Sequence, residues 1–513
     1  MAQPKRFIEI MDTTLRDGEQ TPELAYTPAE KLQIARMLLG EVGVDRIEIA
    51  SARVSKGEVE SARRIIEWAA AKGKDNRVEI LGFCDGGISS SWVRKVSGRT
   101  INLLTKGSEL HCRKQLRKTP EEHFKDVVKD VRSAKKKGLA VNVYLEDWSN
   151  GIRDSFQYVH AFCNVLVDQG IARIMLPDTL GMLTPSEVRR YLDWMISAYP
   201  DVRFDFHGHN DYGLGTANTL VAVECGINGV HTTVNGLGER AGNASLCEVV
   251  VGIHDKTDCR TRVKEKKVNA IAHVVQAFSG KRLAGNAPIV GNDVFTQTCG
   301  VHADGDKKGD LYANALLPER FNRDRMYALG KLSGKASIDQ NLADLGLELT
   351  TDERNRVLQE VIDLGDKKKK VTAQDLPFII ASVLKTDREK TVWIENYRII
   401  SESNSLPTAE ITLSCDGEEL TATGKGDGGY DAFMKATRKA LKRRGIKIPA
   451  LLDYAVHIPP GGMSDALVET TIKWGNNGRI PLVTIGVNSD QIVAAIEATE
   501  KMLNIVVPPH LQK

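Results

Sequence analysis

The chain has 513 residues, 42% of them hydrophobic and 27% charged, with only 17 prolines. At roughly 150 residues per domain this length predicts about three domains, and the composition excludes disordered, collagen-like and coiled-coil chains. Seventy lysines and arginines against 67 acids leave a net charge of +3, too small for a protein whose main partner is a polyanion, so no nucleic acid is expected.

The first residues lack an apolar core of signal-peptide length, and no run of about 18 apolar residues occurs anywhere. No membrane contact is expected, and the cytoplasm is the default location. The eight cysteines are scattered without a CxxC pair and read as reduced, mostly buried thiols.

From Phe7 to about Asp255, short apolar runs alternate with longer amphipathic segments, the pattern of βα units around a parallel sheet. The runs are Phe7 to Met11, Arg46 to Ile49, Val78 to Gly82, Thr100 to Leu104, Ala140 to Leu145, Ala172 to Leu176, Val202 to Phe206 and Gly229 to Thr233. Between them lie helical patterns such as Pro28 to Leu39, and Pro185 to Ile196 behind the N-cap Thr184. Eight such pairs in about 250 residues predict an α/β fold, a (β/α)8 TIM barrel. A doubly wound open sheet is the alternative, but the turn after the first strand reads DTTLRDGEQ and not the glycine-rich turn of that fold.

The barrel is placed at residues 1–270, α-rich linker subdomains at 271–390 and an α+β regulatory domain at 391–513. Lys367 to Lys370, behind Asp363 and Asp366, read as a solvated helix end and not as a nucleic-acid patch. The last domain is duplicated: ATRKAL at 436–441 recurs as ATEKML at 498–503, and a glycine-bearing turn, near Gly424 to Gly429 and at Gly486, is expected to lead into each helix.

The chemistry points to the barrel mouth. In FDFHGHNDYGLGTAN, His207 and His209 share one side of an extended chain after the seventh strand, so both imidazoles can reach one ion. Asp17 in LRDGEQ follows the first strand, which is expected to neighbour the seventh and eighth, and supplies a hard carboxylate. Two histidines and a carboxylate with open positions suit Fe, Mn, Co or Zn. Asn243, in the loop GLGERAGN, offers another oxygen. That loop precedes the last barrel helix, where its N–H groups could accept a phosphate or carboxylate. Arg16 is a fixed cation at the same rim, able to stabilise an oxyanion or simply to form a salt bridge. Glu146 and Thr179 end the fifth and sixth strands, and His302 and Tyr312 lie in the polar linker, where a surface histidine is the plain alternative to a general base.

LRDGEQ with Lys31 downstream, FHGHNDYGLGTA and GLGERAGN together resemble the acyl-CoA condensing branch of metal-dependent barrel lyases and synthases, the 2-isopropylmalate, citramalate and homocitrate synthases. The resemblance spans the whole chain, since a linker carrying GVHADG and a duplicated C-terminal domain are the layout of the first two. It implies that Asp17, His207 and His209, with Asn243 nearby, bind a divalent metal (Zn, Mn or Mg). It further implies that Arg16 and Thr179 hold a 2-keto acid, and that Glu146 and His302 remove a proton from acetyl-CoA with Tyr312 as helper. By alignment to the family, Leu81, Leu104 and Tyr144 wall the keto acid side chain. Their bulk suits the methyl of pyruvate better than the isopropyl of 2-ketoisovalerate, which favours a citramalate synthase over a 2-isopropylmalate synthase. NVYLEDWSNG, DGGYDAF and PPGG resemble citramalate synthases in the same sense. Tyr430, Asp431, Leu451, Tyr454 and Ile458 would bind a branched-chain amino acid effector, isoleucine before leucine, and the family implies a homodimer. A metal-dependent aldolase or lyase working in the cleaving direction, and a catalytically silent protein of the same fold, are the competing readings.

Overall fold

The computed structural model describes residues 5–507 except 53–54, 172, 309–310, 312–313, 345–346, 367–370, 372–374, 385–390, 458–467 and 477–478. The chain divides into two compact units, Met1–Phe295 with Asn314–Asp324, and Thr296–Ala313 with Arg325–Lys513.

The first unit is a closed barrel of eight parallel strands: β1 Glu9–Asp12, β2 Arg46–Ser51, β3 Val78–Phe83, β4 Thr100–Lys106, β5 Ala140–Glu146, β6 Arg173–Asp178, β7 Phe204–Gly208 and β8 Gly229–Thr232. All eight expected runs are strands. The first seven end one or two residues later than expected, as in β4 and β7, because the residues that close the run still pair, and β8 ends one residue earlier. β1 pairs with β2 and β8, whereas β7 borders β6 and β8, so the first strand does not directly neighbour the seventh as expected.

Helices α1 Pro28–Arg36, α2 Lys56–Ala71, α3 Ile88–Lys95, α4 Pro120–Lys136, α5 Phe156–Asp168, α6 Pro185–Ala198, α7 Gly215–Cys225 and α8 Leu246–Lys256 follow the strands in turn. Three of them start from one device, Thr-Pro-x-Glu: Thr27, Thr119 and Thr184 each accept a hydrogen bond from the N–H three residues on, while that glutamate accepts from the cap N–H. The outward residues of the strands, such as Ile10, Ile47, Val143, Phe204 and Val230, pack against these helices in one continuous core.

The inward residues are different. Apart from a small apolar cluster, they are charged or polar: Glu9, Arg46, Glu79, Asn102, Asn142, Arg173, Asp205 and His231 fill the lumen. Arg46 meets Glu79 at 3.0 Å and Glu9 at 3.3 Å, and both Arg46 and Arg173 contact Asp205. Burial alone would raise the Asp205 carboxyl, but Arg46 and Arg173 hold it well below the usual carboxylate range.

The second unit carries helices α9 Gly300–Lys307, α10 Lys335–Asp344, α11 Thr351–Asp366 and α12 Leu376–Leu384, then a repeated module. Each copy is a three-stranded antiparallel sheet followed by one helix: β9 Val392–Ile400, β10 Thr408–Cys415, β11 Glu418–Lys425 and α13 Gly429–Lys442, then β12 Leu451–His457, β13 Val468–Asn476, β14 Arg479–Asn488 and α14 Gln491–Val506. ATRKAL and ATEKML occupy matching places, with Ala436, Thr437, Ala440 and Leu441 buried in one helix and Ala498, Thr499, Met502 and Leu503 in the other. Thr437 and Thr499 each donate to the carbonyl four residues back.

The expected glycine-bearing turn leads into α13 at Gly426 to Gly428, but Gly424 and Gly486 are themselves strand residues. They lie within β11 and β14, where the following helix presses on the strand backbone: a Cβ at Gly424 would stand 2.4 Å from the Ala432 oxygen, and at Gly486 1.9 Å from that of Ala494. Among the described residues all eight cysteines are free, and no helix is long and apolar enough to cross a membrane. Gly486→Ala is expected to destabilise the chain by about 1–3 kcal/mol in urea unfolding, because the helix must lift off its strand. A loss below about 0.5 kcal/mol would contradict this packing.

Candidate metal centre

β1 and β7 end at the same mouth, and their termini bring three ligand atoms together. His207 Nε2 lies 3.1 Å from Asp17 Oδ2, His209 Nε2 lies 3.9 Å from it, and the two Nε2 atoms are 3.3 Å apart. All three residues are buried. Around an ion with bonds of about 2.1 Å, neighbouring ligand atoms stand roughly 3.0–3.4 Å apart. Asp17 Oδ2 makes no hydrogen bond despite its neighbours, and Asn243 Oδ1 is buried without a partner, its Nδ2 donating to the Leu237 carbonyl at 2.9 Å. Two buried acceptor oxygens without a donor, beside two Nε2 atoms that face each other, fit a cation better than they fit one another. The Nδ1 atoms of both histidines are buried without a protein partner, and an ion on Nε2 would place the hydrogen on Nδ1.

Arg16 sets the charge. Its Nη1 is 2.9 Å from Asp17 Oδ1, its Nε contacts Glu48, and its Nη2 is 3.4 Å from the Tyr144 hydroxyl. Burial would raise the Asp17 carboxyl, yet Arg16, His207 and His209 hold it well below the usual carboxylate range. Burial and the neighbouring His207 push the His209 imidazole down to about 4. The trio is thus an ionised carboxylate, a neutral imidazole at His209 and His207 beside them.

The loop residues are fixed as well. Lys31, fully buried, donates to the Leu15 carbonyl just before Arg16 and pairs with Glu19 and Glu58. In GLGERAGN, Gly242 has a positive φ of 82°, and a Cβ there would stand 1.9 Å from the Gly236 oxygen, so only glycine fits. The N–H groups of Gly238, Gly242 and Asn243 bond to Thr21, Glu239 and Gly236, so these three are not available as the anion cradle expected of this loop.

Around the trio, Thr179 accepts from the Asp147 N–H at 2.9 Å, which leaves its hydroxyl hydrogen to donate, and its carbonyl accepts from Arg240. Glu146 pairs with Lys106 across neighbouring strand ends. Leu81 and Tyr144 form an apolar cluster with Met11 and Met175, Leu104 packs against it, and the Tyr144 ring meets the His207 ring edge-on at 6.2 Å. His302 lies half-buried on α9 of the second unit. In the repeated module, Tyr430 and Tyr454 touch at 5.1 Å between ring centroids, the Tyr430 hydroxyl is 2.7 Å from Thr499, Asp431 pairs with Lys435 at 2.7 Å, and Leu451 is exposed on β12. Tyr312 and Ile458 lie outside the described residues.

Glu48, Lys106, Asp205 and His231 were not among the residues expected at the site. The signal for Glu48 and Asp205 is a charged residue at every second position of an otherwise apolar strand, as in RIEI and FDFH, and Lys106 and His231 lack it.

Comparison with known proteins agrees with this geometry. Residues 7–275 match the HMGL-like family, 289–369 the homocitrate synthase post-HMGL domain-like family, and 370–507 the LeuA allosteric (dimerisation) domain. The barrel is that of the divalent-metal-dependent HMGL-like family, and its mouth holds a possible metal site of Asp17, His207 and His209. Within that class the chain belongs to the family of the (R)-citramalate and 2-isopropylmalate synthases. It is 32% identical to the (R)-citramalate synthase of Methanocaldococcus jannaschii over 98% of this chain and 99% of that one. It is 34% identical to a protein described as "Probable 2-isopropylmalate synthase" from Methanopyrus kandleri over 97% and 98%. An HMG-CoA lyase structure from Bacillus subtilis aligns at a TM-score of 0.48 and 22% identity, over 56% of this chain and 98% of that one.

Asp17→Ala and His207→Ala are each expected to weaken Mn or Zn binding to the chelator-stripped protein by about 100-fold or more in calorimetric titration. Parental affinity in either variant would move the metal elsewhere.

Proposed function

We propose that the protein is a citramalate synthase: it condenses acetyl-CoA with pyruvate to give (R)-citramalate and CoA, toward isoleucine. The observation that carries the choice of pyruvate is the apolar cluster of Met11, Leu81, Tyr144 and Met175, closed by Leu104, beside the His207 ring. Such a packed wall has room for a methyl group, and forcing bulk into it costs about 1–3 kcal/mol. Rejection by overfilling is stronger than rejection of a missing methylene.

When bound by Asp17, His207, His209 and Asn243, a divalent ion supplies Lewis-acid polarisation of the keto acid. The remaining work belongs to side chains. Arg16, fixed by Asp17 and Glu48, faces the oxygen on which negative charge develops as the new carbon–carbon bond forms. Thr179 donates its hydroxyl hydrogen to the keto acid carboxylate. Glu146 and His302, with Tyr312 as helper, handle the proton that leaves the acetyl methyl group. The resulting enolate carbon attacks the keto carbon, and water then cleaves the thioester to release the CoA thiol. In the C-terminal module, Tyr430, Asp431, Leu451, Tyr454 and Ile458 take isoleucine, or leucine as the second choice, and the match to the LeuA dimerisation domain supports a homodimer.

The second reading is 2-isopropylmalate synthesis from 2-ketoisovalerate in leucine biosynthesis, favoured by the Methanopyrus kandleri relative. Thiol release from acetyl-CoA, compared for pyruvate, 2-ketoisovalerate and 2-ketoglutarate, separates the two. Pyruvate is expected to exceed 2-ketoisovalerate in kcat/KM by at least about tenfold. Equal rates or the reverse order would overturn the pyruvate reading. Isoleucine is expected to inhibit the parent, and Tyr430→Ala to abolish that inhibition while the uninhibited rate stays within about twofold. Unchanged inhibition would remove the effector assignment.

A further inference from the structure

The pocket wall at Tyr144 is held from below by a buried relay that the proposed mechanism does not use. His231 Nε2 is 3.2 Å from Asp205 Oδ2, and His231 Nδ1 is 3.2 Å from the Tyr144 hydroxyl. Asp205 and His231 are fully buried, and Tyr144 is all but buried. The two rings meet edge-on, 5.5 Å between centroids. On the far side, Tyr144 receives Arg16 Nη2 at 3.4 Å, and the Arg16 guanidinium stands 5.7 Å from the centre of its ring. The line Asp205–His231–Tyr144–Arg16 therefore runs up the lumen and ends on the cation that pairs with Asp17.

The hydrogens along this line follow from its shortest contacts. Asp205 contacts both Arg46 and Arg173, so it is an ionised carboxylate that can only accept. His231 Nε2 must then carry the hydrogen. With its hydrogen on Nε2, the ring presents Nδ1 to the Tyr144 hydroxyl as an acceptor at 3.2 Å, closer than the other acceptor in reach of that hydroxyl, Glu48 Oε2 at 3.5 Å. The lone pairs of the Tyr144 oxygen are thereby turned toward Arg16 and the mouth.

We propose that His231, oriented by Asp205, is a positioning residue. It fixes the Tyr144 ring as the wall of the keto acid pocket and presents the Tyr144 oxygen to Arg16 as an acceptor. This deepens the condensing-enzyme reading and rests on it. The role is selectivity: with the hydroxyl untethered, the ring rocks away from the pocket and larger 2-keto acids enter.

The test uses the metal-loaded full chain. KM and kcat are measured with pyruvate and with 2-ketoisovalerate for the parent, His231→Leu, His231→Gln, Tyr144→Phe and the His231→Leu, Tyr144→Phe double variant. Losing the tether is expected to raise KM for pyruvate and to shrink the preference over 2-ketoisovalerate, each by about tenfold, with kcat changed less than about threefold. Gln, which keeps one donor and one acceptor, is expected to restore most of the preference. The double variant is expected to be no worse than the poorer single one, since both cut the same link. A fall in kcat with KM and preference unchanged, or additive losses in the double variant, would overturn the role. If His231→Leu does not fold, Tyr144→Phe decides alone, and parental KM and preference there would overturn it equally. A parent that prefers 2-ketoisovalerate sinks the pyruvate reading separately, and the coupling is then read in the KM of that substrate.

Discussion

The arrangement depends on how the Asp17 carboxylate is shared. One oxygen is held by Arg16, and the other is turned toward two imidazole nitrogens without a hydrogen bond to either. A carboxylate buried in this way needs compensating positive charge. Arg16 supplies part of it and is itself spoken for by Glu48, so the trio is left with net acceptor character that one divalent cation satisfies. Everything around the mouth serves to keep that geometry: Lys31 beneath the loop that carries Arg16 and Asp17, Gly242 where a side chain cannot fit, and Asn243 with its oxygen aimed at no protein donor.

The lumen below follows the same logic. Its central ions, Arg46, Arg173, Asp205 and Glu79, each meet an opposite charge, an arrangement in which removing one partner strands another in a dry interior. A barrel filled with aliphatic layers would be easier to stabilise, but it would not hold a tyrosine and an arginine in fixed orientation at its top. The charged layer thus links the packing of the barrel to the chemistry at its mouth.

Much of this was legible in the sequence. The eight strand runs could be counted because parallel strands buried on both faces read as apolar runs, and the HxH and RD motifs stood out because they follow such runs. The inward charges were harder to see. In β2, β3 and β7 they alternate with outward aliphatic residues, and a four- to six-residue strand gives too few repeats to separate that alternation from scatter. Lys106 and His231 have no distinguishing neighbours in sequence, and the partners of Glu48 and His231 lie 26 to 96 positions away. Gly424 and Gly486 were visible as paired glycines, but their role depends on a helix pressing on a strand, which no local pattern reports.

The most direct measurement is the location of the metal itself. A crystal of the chelator-stripped protein soaked in Mn, with diffraction recorded at the manganese edge, is predicted to give one anomalous peak within about 2.5 Å of Asp17 Oδ2, His207 Nε2 and His209 Nε2. A peak at another site, or none at this one while the protein still releases CoA thiol, would contradict the account.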